Sequence, residues 1–114
     1  MYKLHGHASQ DRIERLMYLT MEIGIGQTLL SVIDRGRRTD LTENGVVLVF
    51  TQEGEILTAY LASADRAYAM YCQRYGDKFP VPNRVIHHIH NVNTKHHKII
   101  EELNLYYGYK EREQ

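Results

Sequence analysis

The stretch Val46 to Leu61 constrains the fold more than any other part of the chain. Two β-prone runs, Val46-Val47-Leu48-Val49-Phe50-Thr51 and Ile56-Leu57-Thr58-Ala59-Tyr60-Leu61, flank the polar segment Gln52-Glu53-Gly54-Glu55. Apolar runs on either side of a short glycine-bearing segment predict a β-hairpin. The first run is apolar at nearly every position, so both its faces are expected to be covered. The second alternates, which puts Leu57, Ala59 and Leu61 on one face and Ile56, Thr58 and Tyr60 on the other. Thr58 and Tyr60 then present two hydroxyls on a single sheet face.

Helical periodicity surrounds this hairpin. Ser9 is the expected N-cap of a first helix, with Asp11 in its first turn, where a negative charge suits the helix dipole. Ile13, Leu16, Met17, Thr20 and Ile23 recur at helical spacing, and Gly24 and Gly26 close the element. Leu29, Leu30, Val32 and Ile33 predict a second, shorter helix from about Gln27 to Arg35, with Gly36 as its C′ residue. Arg37 to Thr42 fits a short strand, and Asn44-Gly45 is a turn dipeptide. Beyond the hairpin, Ser63 is the expected N-cap of a helix with the stripe Ala64, Ala67, Tyr68, Tyr71 and Tyr75, closed by Gly76. Cys72, the only cysteine, falls among apolar neighbours and is expected to be a small buried residue. Pro82 suits a helix start, and Val85, Ile89, Val92, His96, Ile99 and Leu103 predict one long final helix with an apolar seam. The expected fold is α+β, a small antiparallel sheet covered by helices in the order ααββαα, with a third strand before the hairpin. The 114 residues suffice for one domain spanning 1–114, with a tail free to move from about Tyr106.

Composition narrows the function classes. Hydrophobic residues at 43% and charged residues at 25% are ordinary for a globular protein. No apolar run approaches the roughly 20 residues that cross a bilayer, and no signal-peptide apolar region follows Met1, so a cytoplasmic protein without a membrane partner is expected. A net charge of zero argues against a protein built only to coat nucleic acid. The charge is nonetheless uneven. Arg35, Arg37 and Arg38 form one basic cluster, and Arg66, Arg74, Lys78, Arg84, Lys95 and Lys98 concentrate in the second half, so both are candidate phosphate contacts.

Five of the seven histidines, His87, His88, His90, His96 and His97, lie close together in sequence. They do not predict a metal site. His90 and His97 share a helical angle but stand two turns, about 10 Å, apart. There is no His-Glu-x-x-His pattern, and no carboxylate completes a ligand set. No metal or other cofactor is expected. Gly24-Ile25-Gly26 follows a helix rather than a strand, so it is not a phosphate loop.

A different constellation suits chemistry. His5 and His7 precede the first helix, Arg12 and Arg15 lie in its first two turns, and Thr58 and Tyr60 share a sheet face. If the helix packs on the sheet, these groups converge. A neutral imidazole takes the RNA 2′-hydroxyl proton, an arginine grips the phosphate bidentately, and the two hydroxyls donate to phosphate oxygens. Such a set cleaves RNA without a metal and leaves a 2′,3′-cyclic phosphate. The pattern His5-Gly6-His7-Ala8, Arg12 and Arg15, followed by Gly45-Val-Val-Leu-Val-Phe and Gly54-Glu-Ile-Leu-Thr-Ala-Tyr, resembles the barnase–EndoU–colicin–RelE superfamily of small ribonucleases over about Met1 to Leu61. The resemblance implies a toxin-type endoribonuclease of bacterial or phage type, with His5 or His7, Arg12 or Arg15, Thr58 and Tyr60 as its site and a neutralising protein as partner. After Leu61 the chain turns helical where that superfamily continues with sheet.

Two other classes fit the same sequence. One is a non-catalytic module that binds nucleic acid or protein. The other is a homo-oligomeric accessory protein, with a homodimer formed through the Val85 to Leu103 seam.

Overall fold

The computed structural model describes residues 10–76 and 80–103. Ser9, His5, His7, Lys78 and the tail from Tyr106 lie outside the described residues. Helix α1 (Gln10–Tyr18) runs into a π-helical turn (Leu19–Ile23). Strands β1 (Thr28–Asp34), β2 (Arg37–Thr42), β3 (Val46–Phe50) and β4 (Ile56–Leu61) follow, then helices α2 (Ala64–Tyr75), α3 (Asn83–Lys95) and α4 (His97–Leu103). The strands pair antiparallel in the order β1-β2-β3-β4, a simple meander. The class is α+β with an antiparallel sheet, as expected, but the sheet has four strands and the order is αββββααα rather than ααββαα.

The extra strand is the segment expected to be the second helix. Leu29, Leu30, Val32 and Ile33 satisfy a helical period, yet burial alternates residue by residue: Leu30 and Val32 are buried while Ser31 and Ile33 are exposed. β-Branched Thr28, Val32 and Ile33 favour the extended form. Pairing with β2, in the register Ile33 opposite Arg38 and Asp34 opposite Arg37, decides the matter. Arg35-Gly36 is accordingly a two-residue hairpin turn and not a helix end.

The β3–β4 hairpin forms as the sequence indicates, with Val47 opposite Tyr60 and Val49 opposite Thr58. A register shift then pairs Phe50 with Ile56, leaving Leu57 as the extra residue of a bulge. The bulge moves Ile56 off the Tyr60 face. Ile56 packs with Val46, Leu48, Phe50, Ala59 and Leu61, whereas Tyr60 packs with Leu30, Val32, Leu41 and Val47.

Each sheet face therefore has its own core. Ala67, Met70 and Tyr71 of α2, with Val85 and Ile89 of α3, cover the Tyr60 face. Leu16, Leu19 and Ile23 of the first helical segment cover the β3 and β4 part of the opposite face, joined by Val92 of α3. Helix α3 so bridges both cores. Val85, Ile89 and Val92, three residues of the expected seam, are buried within the chain. On the opposite face, over β1 and β2, Ser31, Ile33 and Arg38 are exposed while Asp40 and Thr42 are buried.

The helices depart from their expected stripes in three places. In the first helical segment the core side is Leu16, Leu19 and Ile23, while Met17 and Thr20 face solvent. In α2, capped by Ser63 accepting the Arg66 N–H at 3.1 Å, the core side is Ala67, Met70 and Tyr71; Tyr68, Cys72 and Tyr75 are exposed. The expectation of a buried Cys72 is corrected accordingly. The long final helix breaks at His96, which leaves helical geometry at φ −115°, ψ 22°; its ring shares a 2.6 Å hydrogen bond with the Tyr18 hydroxyl.

Candidate functional site

Two of the residues expected to share a site do meet. Helix α1 packs on β4, and an Nη–H of Arg15 donates to Thr58 Oγ1 at 3.5 Å, across 43 positions of sequence. This is a long hydrogen bond, but it is deeply placed: Arg15 is 2% exposed and Thr58 is buried. Burying a guanidinium is costly unless its donors are satisfied, and the Thr58 contact offsets part of that cost. Arg12, one turn earlier, is half-buried.

Tyr60 belongs to a different cluster. It is 1% exposed and shares its core with α2 and β1 residues. Its hydroxyl acts on Arg66 of α2, and an Nη–H of Arg66 donates to Asp34 Oδ2 of β1 at 2.6 Å. Burial pushes the Arg66 guanidinium down, but Tyr60 and Asp34 outweigh it, so its pKa lies above the ordinary arginine value. Thr58 and Tyr60 thus have different partners: Thr58 meets Arg15 of the first helix, and Tyr60 is held under α2. His5 and His7 lie outside the described residues.

The basic residues are spread over three parts of the fold. At the β1–β2 turn, Arg35 and Arg37 are exposed and form no ion pair among the described residues. Arg35 adopts φ +56° and Gly36 φ +78°, the pair of positive values that a type I′ hairpin turn demands. Beside them, Arg38 donates from Nε and Nη2 to Asp40 at 3.3 and 3.2 Å, and its guanidinium carbon lies 4.0 Å over the Phe50 ring. Asp40 also accepts from Ser31 Oγ at 2.5 Å. On α2 and α3, Arg74 lies over Tyr75 at 5.2 Å, and Arg84 is near enough to Tyr71 to oppose the upward shift that burial and Tyr75 give that phenol. At the α3–α4 break, Lys95 and Lys98 line an open groove of about 500 Å³ with Tyr18, His96 and Ile99. Burial, with Glu22 adding to it, raises the Tyr18 pKa above its ordinary value.

Sequence reasoning missed Ser31, Ile33, Asp34, Asp40 and Phe50 as members of these clusters. Arg38 and Asp40 are two apart on one strand, hence on one face, and that spacing was the available signal. Among the described residues, no group of three or more His, Cys, Asp or Glu side chains could hold a metal ion, and no helix is long and apolar enough to cross a membrane. Comparison of the chain with protein-family models, curated proteins and solved structures finds no match.

Proposed function

We propose that this protein is an RNA-binding module on a small ribonuclease-like scaffold, with the β1–β2 turn as its phosphate contact. The observation that carries this reading is the pair Arg35 and Arg37, exposed at the tip without ion pairs among the described residues, in a chain of zero net charge. Type I′ turns favour Asn, Asp or Gly at the position Arg35 occupies. An arginine with positive φ there costs on the order of 1 kcal/mol, and residues held at such a cost cluster at functional sites. Two projecting guanidinium groups are well shaped to hold phosphate oxygens. The burial of Tyr60 also favours binding over cleavage, because a 1% exposed phenol held under α2 has no access to a scissile phosphate.

The test is fluorescence anisotropy with a labelled RNA oligonucleotide at a series of salt concentrations. Binding should weaken with salt. Replacing Arg35 and Arg37 with glutamine should reduce the slope of log K against log salt by about 1.4, at roughly 0.7 per phosphate contact on a single strand. No binding at low salt, or an unchanged slope, overturns the reading.

The Arg15–Thr58 contact favours a second reading, the metal-independent endoribonuclease. On that reading RNA is cut in the presence of a chelator, with 2′,3′-cyclic phosphate ends, while DNA survives. Arg15→Ala should cost more activity than Arg15→Lys, because lysine keeps the charge and loses the fork. Tyr60→Phe should leave the cleavage rate unchanged if Tyr60 acts only within the fold.

A further inference from the structure

We infer that the exposed sheet surface at Ile33 and Arg38, over β1 and β2, is a seat on which one unpaired base of a single-stranded RNA stacks, against the Arg38 guanidinium. This rests on the RNA-binding reading above and names the form of RNA it takes. Three features make Arg38 a fixed plate rather than a mobile surface arginine. Its Nε and Nη2 both donate to Asp40, which holds the plane of the group. Asp40 is itself 3% exposed and held by Ser31. The guanidinium carbon rests over the Phe50 ring at 4.0 Å. Yet the Arg38 side chain remains 50% exposed, so it covers Phe50 and still presents surface to solvent.

The surroundings fit a base. Ile33 stands directly opposite Arg38 in the β1–β2 register and is 61% exposed, an apolar side chain beside the plate. Arg38 is neutralised locally by Asp40, so this position is poorly suited to a phosphate. Guanidinium planes and aromatic rings both accept the π-face of any base, and stacking of this kind tolerates sequence variation. Phosphates fall instead to Arg37, the next residue, and Arg35 in the adjoining turn. Strand alternation turns Arg37 to the other sheet face, so the RNA backbone passes over the hairpin tip while the base lies on the Arg38 side. In a duplex the base faces are already stacked and the A-form major groove is narrow, so a plate on an open sheet is available only to a single strand.

The experiment uses an RNA oligonucleotide carrying one 2-aminopurine, the same strand made abasic, and a duplex of equal length. The single strand should bind about ten-fold more tightly than the duplex, with quenching of the 2-aminopurine. Arg38→Lys keeps the charge but loses the plane and the fork, and should lower affinity for the intact strand about ten-fold while leaving the abasic strand unaffected. The Arg35 and Arg37 glutamine variant should weaken both strands alike. Ile33→Ser, at an exposed position outside the ion pair, should reduce the quenching even if Arg38→Lys proves unstable. Equal binding of duplex and single strand, or equal loss by Arg38→Lys on intact and abasic strands, overturns the seat. Quenching untouched by Ile33→Ser overturns it as well. Binding of no RNA at all overturns the reading on which it rests; RNA binding indifferent to Arg38 and Ile33 overturns the seat alone.

Discussion

Gly45 couples the β2–β3 turn to helix α3, and replacing it with alanine should be strongly destabilising. Two costs add. Its φ of +79° is unfavourable for an L side chain, at about 1–2 kcal/mol. A Cβ there would also stand 2.7 Å from Ile89 Cγ1, a contact that cannot persist. Ile89 lies in the core that Val47, Tyr60 and Val85 share, so its relief displaces packed side chains, at about 1–3 kcal/mol. The sum, about 2–5 kcal/mol, is a large share of the roughly 5–15 kcal/mol that stabilises a typical domain. At about 4 °C per kcal/mol for a chain of this size, the melting temperature should fall by about 8–20 °C. Gly54→Ala is the control. Its φ of +86° carries the backbone cost, but nothing lies within 4 Å of its Cβ, so about 4–8 °C should be lost. Urea and thermal denaturation of both variants, with Ile89→Ala and the Gly45/Ile89 double alanine variant, separate the two costs. The double variant should lose less than the sum of the singles, because the new methyl enters space vacated by isoleucine. Equal losses for Gly45→Ala and Gly54→Ala, or strict additivity in the double variant, would refute the reasoning.

Three other outcomes are expected. Arg15→Ala strips the donor from Thr58 and empties a buried volume, so urea denaturation should show a loss on the order of 2–4 kcal/mol; an unchanged midpoint would mean that Arg15 is not held as described. Tyr60→Phe removes the hydroxyl beside Arg66 and should cost about 1–3 kcal/mol by the same measurement; an unchanged midpoint would contradict this. Burial holds the His88 pKa below its ordinary 6.5, so its contribution to stability is present above that value and is lost as pH falls through the folded-state value. His88→Gln should therefore lose less stability than the wild type between pH 7.5 and acid pH in urea denaturation; a parallel loss would contradict this.

The hairpin was legible because its turn glycine and the alternation of β4 specify one pairing, and Asn44-Gly45 marked the preceding turn. The β1 segment was not. Leu29, Leu30, Val32 and Ile33 fit helical and extended periods equally, and only long-range pairing with β2 chooses between them. The bulge that turns Ile56 to the other face leaves no mark in composition, since one extra residue resets the count without changing any residue type. The break at His96 carries neither glycine nor proline, and its ring bonds to Tyr18 on a helix distant in sequence. Of the candidate site, a meeting of a first-helix arginine with Thr58 was expected from the helix packing on the sheet, and Arg15 is the arginine that makes it. The burial of Tyr60 depends on where α2 crosses the sheet, and local sequence does not state that.

The meander also bears on how the molecule assembles. Each strand pairs with its neighbour in sequence, joined by the turn Arg35-Gly36, by residues 43–45 or by residues 51–55. Closing such short loops costs little chain entropy, so the sheet can pair locally before any distant contact exists. The far-reaching closures belong to helices: Arg15 reaches Thr58 across 43 positions, and Tyr18 reaches His96 across 78. Amide protons of β2 and β3, paired on both sides, should be the last to exchange, whereas detachment of α1 or α3 bares a sheet face while its strands stay joined. A partly opened state of this protein is therefore a paired sheet without its cover, and its two faces open independently except where α3 spans them.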